Sequence, residues 1–170
     1  MNSYRTENYI KDKVIVITGA SSGFGKETAK KAAELGGKVV LAARREELLR
    51  EITQEIRESG GEASYIKTDV RVKDQVNAMA KFAVDTYGRI DVLVNNAGVS
   101  ESTPFMEYTE ETFDKVMDLN VKGVFNTTRA AAECMVARGT GVILSTSSMV
   151  SISGQPSGFA YPASKFAVNG

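Results

Sequence analysis

The sequence predicts one α/β domain built on a doubly wound parallel sheet, and three observations support this fold class. Short runs of aliphatic and β-branched residues recur along the chain, and such uninterrupted runs are typical of parallel strands covered on both faces. Segments whose apolar residues follow a helical period lie between these runs. Glycines at 36–37, 60–61 and 88 end three of the helical segments, where the chain must turn after the last helical turn.

The predicted elements alternate regularly. Apolar runs predict strands at residues 14–17, 39–42, 92–94 and 142–144, and a weaker run predicts another at 63–68. Each intervening helix is expected to bury one face. The predicted buried faces are Phe24, Thr28, Ala32 and Leu35; Leu48, Leu49, Ile52 and Ile56; and Val72, Val76, Met79 and Ala83. With no linker or repeat between them, these elements predict a single domain over residues 1–170.

The charge balance and hydropathy exclude several classes of partner. Lysine plus arginine total 21, as do aspartate plus glutamate, so no net charge attracts the chain to nucleic acid or anionic lipid. No run approaches the roughly 18 to 20 consecutive apolar residues of a membrane helix. Residues 1–13 lack the apolar core of a secretory signal. We therefore expect a cytoplasmic protein that binds neither nucleic acid nor membranes.

Two residue types are missing or nearly so. The chain has no histidine, which excludes Ser–His–Asp and Cys–His nucleophiles and any histidine-containing metal site. Its one cysteine, Cys134, cannot form an internal disulfide, and its alanine-rich surroundings predict a packed thiol rather than a reactive one. We expect no metal. Chemistry must come from serine, tyrosine, lysine, asparagine, carboxylates or a bound cofactor.

Residues 18–25 form a glycine-rich turn between the first strand and the first helix. Glycines let the backbone approach a pyrophosphate, and the following helix N-terminus offers free N–H groups to it. The spacing is G-x-x-x-G-x-G rather than G-x-G-x-x-G. A P-loop is the competing interpretation, but Ala20 stands where its first glycine is needed and Glu27 follows Lys26. A glycine-rich turn that binds nothing is the other alternative.

Four groups of residues together resemble the short-chain dehydrogenase/reductase family. The segment TGASSGFG at 18–25 resembles that family's cofactor loop, and Thr68-Asp69-Val70 resembles its adenine contact, with Asp69 as acceptor. Asn95-Asn96-Ala97-Gly98 is similar to its NNAG motif. Asn120, Ser148, Tyr161 and Lys165 match its catalytic tetrad, and the resemblance runs without a break over residues 13–170.

The resemblance implies a Rossmann-like fold and an enzyme that uses a nicotinamide dinucleotide. The residues implied to bind the dinucleotide are Gly19, Ser21, Ser22, Gly23, Phe24, Gly25, Arg44, Arg45, Asp69, Val70, Asn96, Ala97, Gly98, Tyr161 and Lys165.

The end of the second strand predicts NADP(H) rather than NAD(H). NAD enzymes of this fold place a carboxylate there for the ribose 2′-hydroxyl, and by resemblance that position is Ala43. Arg44 follows, and a planar guanidinium suits a 2′-phosphate. The alternative is that Arg44 and Arg45 are solvated residues at a helix start.

The spacing of Tyr161 and Lys165 places a phenol and an ammonium on one face of a helix. A free phenol has a pKa of about 10, and a nearby cation favours the phenolate needed for proton exchange near neutrality. The resemblance implies that Tyr161 exchanges a proton with the substrate oxygen and that Lys165 also holds the nicotinamide ribose. It implies that Ser148 hydrogen-bonds the reacting oxygen and that Asn120 supports a water leading to Lys165.

Plainer interpretations of these residues stay open individually. A Tyr–Lys pair at this spacing is often surface decoration, and serines at 145, 147 and 148 could cap a strand end. Ser147 and Ser148 are adjacent and would face opposite sides of a strand. Only the spacing to Tyr161 selects Ser148.

The predicted function is reversible carbonyl reduction and alcohol oxidation with NADP(H). A ketone, a hydroxysteroid, a 3-oxoacyl thioester and a polyol are all compatible with the mixed residues at 149–159. The alternatives are a cofactor-binding redox sensor without turnover, which would not need the proton-transfer residues, and an isomerase or dehydratase that uses the cofactor transiently.

The resemblance also implies a longer protein and self-association. Family members are about half as long again, so we expect an incomplete chain, cut before the last strands, that is aggregation-prone and inactive alone. The intact parent is expected to be a homotetramer whose contacts use the helix at 121–137 and the helix that begins near Tyr161. Small residues on that helix permit close approach: Gly123, Thr127, Ala130, Ala131 and Cys134. The alternative is a helix packed only on its own sheet.

Overall fold

A computed structural model describes residues 7–170 and contains five parallel strands in the order β3-β2-β1-β4-β5. The expectation about a secretory signal falls partly on residues 1–6, outside the described residues. The strands are β1 (Val14–Thr18), β2 (Lys38–Ala43), β3 (Glu62–Lys67), β4 (Val92–Asn95) and β5 (Val142–Ser145). All five predicted strands are confirmed, with bounds that differ by one or two residues at their ends.

Helices cover both faces of the sheet, as the doubly wound class requires. They are α1 (Glu7–Ile10), α2 (Gly23–Glu34), α3 (Glu46–Glu58), α4 (Lys73–Tyr87), α5 (Glu110–Met117), α6 (Gly123–Val136) and α7 (Ala160–Asn169). A π-helical turn (Asp118–Lys122) joins α5 to α6, and short 3₁₀ turns occupy Phe105–Glu107 and Met149–Ser151.

The central strands separate two apolar cores. Ile15 and Ile17 of β1 pack with α2 and α3, whereas Val16 packs on the other side with α4 and α6. Successive side chains of a strand point to opposite faces, so β1 contributes to both cores and every residue in it is buried. This two-sided burial is why the strands appear in the sequence as continuous apolar runs.

The predicted buried face of α2 is wrong for Phe24 and Thr28 and confirmed for Ala32. Phe24 is 81% exposed and Thr28 is also exposed. The residues that α2 buries are Gly25, Ala29, Ala32 and Ala33. Small side chains let this helix lie close to the sheet, and the larger Phe24 at its start is turned outward. The predicted faces of the next two helices hold for Leu49, Ile52 and Ile56 and for Val76, Met79 and Ala83.

The small residues of α6 serve the chain's own core. Ala130 and Ala131 belong to the core formed with α4, and Thr127 donates a 2.6 Å hydrogen bond to the Asn95 side chain. A Cβ added at Gly123 would lie 2.7 Å from Val70. Gly123, Thr127, Ala130 and Ala131 are thus buried within the chain itself, as the alternative of packing on the chain's own sheet predicts, and a contact of this helix with another subunit stays a prediction. Cys134 is partly buried, and burial raises the pKa of its thiol, in keeping with a packed side chain.

Asp91 ties together the amino ends of three strands. Its carboxylate accepts hydrogen bonds from the Val14 N–H at 2.8 Å, from Arg89 at 2.8 Å and from Arg138 at 3.3 Å. The Val142 N–H donates to the Asp91 carbonyl at 2.9 Å. Burial alone would raise the pKa of this carboxyl, but the N–H group and the two guanidinium groups outweigh burial and lower it. Asp91 therefore has a structural role at the amino end of the sheet, and the carboxyl end is left for ligand binding.

Two further observations concern the chain as a whole. None of the helices formed by residues 7–170 is both long enough and apolar enough to cross a membrane. Within the same range, no group of three or more acidic or cysteine side chains is arranged to hold a metal ion.

Candidate functional site

The carboxyl ends of β1 and β4 are joined by a small set of side-chain bonds. The Thr18 hydroxyl accepts hydrogen bonds from the N–H groups of Asn96 and Ala97, each at 3.1 Å. The Asn96 amide donates to the carbonyl oxygens of Thr18 at 3.1 Å and Gly19 at 3.4 Å. The glycine loop is thus held against the segment that follows β4. Strand order reverses between these two strands, which is where ligands bind in open α/β sheets.

Two glycines of the loop are required by close packing. A Cβ at Gly19 would lie 2.8 Å from the Ala97 Cα, and Gly19 has a positive φ of 66°. A Cβ at Gly25 would lie 2.6 Å from both the Asn96 amide nitrogen and the Gly19 carbonyl oxygen. Side chains at these positions would push the loop away from Asn96 and Ala97. The loop can therefore present its backbone to a ligand only with glycines here.

A cleft of about 250 Å³ opens beside this loop. Its walls come from the carboxyl ends of β1, β2, β3 and β4, and from the π-helical turn. The lining residues are Gly19, Ser21, Ser22, Ala43, Arg44, Arg45, Thr68, Asp69, Val70, Asn96, Ala97, Gly98 and Leu119. The structure thus brings most of the predicted dinucleotide residues to one cleft. Gly23, Phe24, Gly25, Tyr161 and Lys165 do not line it.

Ala43, Thr68 and Leu119 also line the cleft, although none of them is among the predicted dinucleotide-binding residues, and Thr68 appears there only as the first residue of the Thr68-Asp69-Val70 motif. Ala43 was noted only as a position without a carboxylate. Thr68 directly precedes Asp69 at the end of β3, so its place at the carboxyl edge of the sheet was available as a signal. Leu119 has no signal of its own, because its position depends on the π-helical turn.

The mouth of the cleft near β2 carries guanidinium and hydroxyl donors. Arg45 donates to the Ser21 hydroxyl at 3.0 and 3.2 Å and to the Ser22 hydroxyl at 2.6 Å. Arg44 lines the same cleft, and buried Ala43 supplies no carboxylate. This donor set, with the free N–H groups at the start of α2, can bind a phosphate group.

Asp69 lies on the opposite wall of the cleft. The Arg71 guanidinium donates hydrogen bonds of 2.6 to 3.2 Å to the Asp69 carboxylate. The Asp69 N–H donates to the Gln75 side chain at 2.8 Å. The hydrogen bonds from Arg71, aided by the nearby charge of Arg44, lower the pKa of Asp69 despite partial burial. Asp69 is thus held as a carboxylate, the form that accepts hydrogen bonds from an adenine amino group. Together the two walls fit the phosphate and base portions of a dinucleotide.

Tyr161 and Lys165 lie on one side of α7, as their spacing predicts. The Lys165 ammonium nitrogen is 5.8 Å from the centre of the Tyr161 ring and donates a 2.7 Å hydrogen bond to the Thr146 carbonyl at the end of β5. Lys165 is 8% exposed, and no carboxylate of residues 7–170 lies within ion-pair distance of it. Burial lowers the pKa of its ammonium. The alternative that Tyr161 and Lys165 form an exposed pair on the surface does not fit a lysine this buried.

The two adjacent serines differ in their bonding. The Ser147 hydroxyl donates to the Asn169 side chain at 2.7 Å. The Ser148 oxygen accepts a 3.4 Å bond from the Val150 N–H, and within residues 7–170 its hydroxyl donates to no protein atom. The Ser148 proton is therefore the one left for another acceptor, in agreement with the choice made from the spacing to Tyr161.

Asn120 lies in the π-helical turn and is buried. Its amide group donates to the Val99 carbonyl at 2.9 Å and to the Ser164 hydroxyl at 3.0 Å, and its oxygen accepts from the Val99 N–H at 2.9 Å. Ser164 in turn donates to the Tyr161 carbonyl at 2.7 Å. Asn120 therefore links the segment after β4 to the helix that carries Tyr161 and Lys165. Both amide hydrogens are used, and its water-binding role stays a prediction.

Known proteins resemble this chain over nearly its whole length. A 3alpha-hydroxysteroid dehydrogenase of Mediterraneibacter gnavus is 47% identical over 163 residues, which are 95% of this chain and 65% of the relative. An uncharacterized oxidoreductase of Listeria monocytogenes is 42% identical over 159 residues, covering 94% of this chain and 64% of the relative. The chain thus spans just under two thirds of the length of these curated relatives.

Solved structures match in both fold and sequence. A short chain dehydrogenase/reductase from Burkholderia phymatum in complex with NAD superposes with a TM-score of 0.91 at 37% identity, covering 94% of this chain and 57% of that chain. A metagenomic short-chain oxidoreductase in complex with NADP gives 0.88 at 38% identity, with 94% and 73% coverage. The family model described as short chain dehydrogenase matches residues 13–170. With the sheet order, the glycine loop and the cleft as described, this match identifies the chain as a member of the short-chain dehydrogenase family.

Proposed function

We propose that the protein is an oxidoreductase that interconverts a carbonyl and a secondary alcohol with NADP(H). The observation that carries this proposal is the buried Lys165 ammonium beside Tyr161, with no carboxylate partner in the described chain. A buried, unpaired cation is costly, and it is retained where it stabilises an anion formed during a reaction. A protein that only senses a bound dinucleotide has no use for that arrangement.

Tyr161, Ser148 and Lys165 each have a separate role in the proposed reaction. When bound, the nicotinamide supplies or accepts the hydride. Tyr161 gives its phenolic proton to the carbonyl oxygen in reduction and takes a proton from the alcohol in oxidation. Ser148 donates its free hydroxyl to the same oxygen and fixes its position. The Lys165 ammonium stabilises the phenolate, and its bond to Thr146 fixes the direction from which it acts.

NADP(H) is proposed over NAD(H) because of the charge at the end of β2. Arg45 is already bonded to Ser21 and Ser22, so a 2′-phosphate would meet an ordered guanidinium and two hydroxyls. Ala43 offers no acceptor for a ribose 2′-hydroxyl. A 2′-phosphate carries negative charge that the two arginines would neutralise, whereas the ribose 2′-hydroxyl of NAD would leave them without an anionic partner.

We propose an apolar, ring-containing alcohol of the hydroxysteroid class as substrate. The segment directly after Ser148 exposes large apolar side chains, with Met149 75% and Ile152 72% exposed. Exposed apolar side chains next to a polar reacting group suit a largely apolar substrate with one oxygen function. The Mediterraneibacter relative is a 3alpha-hydroxysteroid dehydrogenase, which supports the same class.

The test uses the full-length protein and measures, by nicotinamide absorbance, its oxidation of a panel of alcohols and its reduction of the matching ketones. The panel contains 3-hydroxysteroids, 3-hydroxyacyl thioesters and polyols, each with NADP and NAD. We expect turnover of hydroxysteroids with NADP. Turnover of polyols alone would remove the substrate class, and tight dinucleotide binding with no turnover of any compound would favour a redox sensor.

Two further expectations stay proposals. The parent protein is proposed to be a cytoplasmic homotetramer. Since the small residues of α6 are buried in the chain itself, the contact would instead use its outward side, where Phe125 and Val136 are exposed. Light scattering of the full-length protein, with Phe125→Asp as the variant, tests the association.

A further inference from the structure

The start of α7 is capped entirely by one loop from another part of the chain. The first N–H groups of a helix have no intrahelical partner and must be satisfied from outside it. Here the loop at residues 101–108, which follows the NNAG motif, supplies the acceptors. We call this segment the capping loop.

Each backbone donor at the start of α7 has a partner in the capping loop. The Phe159 and Tyr161 N–H groups both donate to one carboxylate oxygen of Glu101, at 3.1 and 3.2 Å. The Ala160 N–H donates to the Tyr108 hydroxyl at 3.1 Å. The next residue, Pro162, has no N–H to satisfy. The first intrahelical bond then runs from the Ala163 N–H to the Phe159 carbonyl at 3.3 Å.

The second carboxylate oxygen of Glu101 is held within the loop itself. It accepts the Thr103 N–H at 3.0 Å, and the Thr103 carbonyl accepts the Gly158 N–H at 2.9 Å. A Cβ at Gly158 would lie 2.7 Å from the Glu101 carbonyl oxygen and 2.9 Å from its carboxylate, and the φ of Gly158 is +79°. The junction therefore has no room for a larger residue at position 158.

Aromatic packing and the negative charge of Glu101 both stabilise the contact between the capping loop and α7. The centre of the Phe159 ring lies 5.5 Å from that of Phe105 and 6.2 Å from that of Tyr108. These aromatic contacts hold the start of α7 against the capping loop. Burial alone would raise the pKa of the Glu101 carboxyl, but the bonds from Thr103, Tyr108, Tyr161 and Phe159 lower it. A carboxylate at a helix N-terminus is also favoured by the helix dipole.

We propose that Glu101 is a positioning residue, which sets the place of Tyr161 relative to the dinucleotide cleft. The inference rests on the proposed function, because Tyr161 must be the proton donor for its position to matter. The connection is short: Asn96, Ala97 and Gly98 line the cleft, and Glu101 lies three residues after them. Its carboxylate bonds directly to the backbone of Tyr161. Glu101 thus joins the wall of the cleft to the residue that acts on the substrate.

The test compares Glu101→Ala with Thr109→Ala in the full-length protein. Thr109 caps α5, a helix that carries none of the proposed reacting residues, by accepting the Thr112 N–H at 3.2 Å. A misplaced reacting group typically costs about 100-fold in rate. We expect Glu101→Ala to lower kcat by about 10- to 100-fold with dinucleotide Kd changed less than about twofold. Thr109→Ala should leave kcat within about twofold even where it lowers the melting temperature.

If Glu101→Ala folds poorly, the variants Glu101→Gln and Tyr108→Phe still test the proposal. Glutamine retains one acceptor oxygen, so it should restore most of the lost kcat. Tyr108→Phe removes the acceptor of the Ala160 N–H and the Tyr108 bond to Glu101, but it keeps the Glu101 carboxylate that accepts the Phe159 and Tyr161 N–H groups, so its loss of kcat should be smaller than that of Glu101→Ala. A Glu101→Gln variant as impaired as Glu101→Ala would overturn the hydrogen-bonding role.

Amide hydrogen exchange gives a readout that does not need activity. The N–H groups of residues 159–161 should be protected in the wild type and in Thr109→Ala, and should exchange faster in Glu101→Ala. Unprotected amides in the wild type would overturn the cap. Faster exchange in Glu101→Ala with unchanged kcat would overturn the positioning role alone. A wild type with the protected cap but no turnover of any substrate would overturn the proposed function instead.

Discussion

The ammonium nitrogen of Lys165 lies 5.8 Å from the centre of the Tyr161 ring, one helical turn away on α7. Because Lys165 is buried, solvent screens its charge less than it would screen the charge of an exposed lysine. Burial lowers the pKa of the lysine, yet no carboxylate in the described chain neutralises it. Its charge is therefore available to stabilise a phenolate at Tyr161.

Tyr161→Phe should lower kcat by about 1,000-fold or more, because a positioned proton donor contributes about 100- to 10,000-fold. Dinucleotide Kd should change by less than about twofold, since the cleft is lined by the glycine loop and Asp69 and not by Tyr161. Steady-state kinetics and fluorescence titration with NADPH measure the two quantities. Tyr87→Phe, whose ring lies beneath Lys38, is the control. Near-normal turnover by Tyr161→Phe would falsify the assignment.

Lys165→Ala should reduce both turnover and dinucleotide affinity, in contrast to Tyr161→Phe. The lysine is proposed to stabilise the phenolate and to hold the nicotinamide ribose. Kinetics and titration of the two variants side by side make the comparison. If Lys165→Ala neither lowered kcat nor raised the dinucleotide Kd, the buried lysine would have only a structural role.

Arg45→Ala should weaken NADPH binding by about 10- to 100-fold, or about 1.4 to 2.8 kcal/mol, and leave NADH binding within about threefold. The guanidinium that bonds Ser21 and Ser22 is lost, and with it a partner for the 2′-phosphate. Arg50→Ala, an exposed arginine on α3, is the matched control.

Combining Ala43→Asp with Arg44→Ala should shift preference toward NADH, because it supplies the missing carboxylate and removes a cation. Titration with both dinucleotides gives the Kd ratio for each protein. A wild type that binds NADH more tightly than NADPH would contradict the assignment before any variant is made.

Gly25→Ala should weaken dinucleotide binding and lower the free energy of unfolding by about 2 kcal/mol, a typical cost of forced overpacking. Its Cβ would meet the Asn96 amide and the Gly19 carbonyl, both at 2.6 Å. Gly154→Ala introduces the same methyl group with no atom within 4 Å and serves as the control. Urea unfolding and NADPH titration measure the two effects, and equal behaviour of the two variants would refute the packing argument.

Asp91→Asn should lower the free energy of unfolding at pH 7 by about 2 kcal/mol, the scale of hydrogen bonds to a charged group. The folded-state pKa of Asp91 is lowered, so its contribution is fully present above the unfolded pKa of about 3.9 and is lost as pH falls through the folded value. The difference between wild type and variant should therefore shrink below about pH 4. Asp85→Asn, an exposed partner of Lys81, is the control and should show little difference at any pH.

The motif residues could be predicted from sequence because local chemistry dictates them. A turn that approaches Asn96 and Ala97 this closely requires glycine at 19 and 25, and a buried parallel strand requires continuous aliphatic residues. The buried face of α2 was mispredicted for a related reason. Hydrophobic periodicity selects large residues such as Phe24, whereas a helix lying close to a sheet buries alanine and glycine.

The contacts of Glu101 could not be predicted in this way. Glu101 lies in a mixed polar loop without periodicity, and its bond to the Tyr161 N–H spans 60 positions of the chain. The same holds for Asn120 and Ser164, which are 44 positions apart. Such bonds depend on how loops are brought together by the sheet, and no spacing in the sequence encodes them.

The position of β1 between β2 and β4 also governs the order of assembly. The bond between Val14 and Asp91 joins residues 77 positions apart, and a loop of that length must close before β1 is paired on both sides. Until then Asn96 is not present to hold the carbonyls of Thr18 and Gly19. The glycine loop therefore takes its final shape only once β4 has paired with β1, and the cleft beside it forms in the same step. A ligand that binds the folded cleft at about 100 times its Kd would add about 2.7 kcal/mol to the free energy of unfolding.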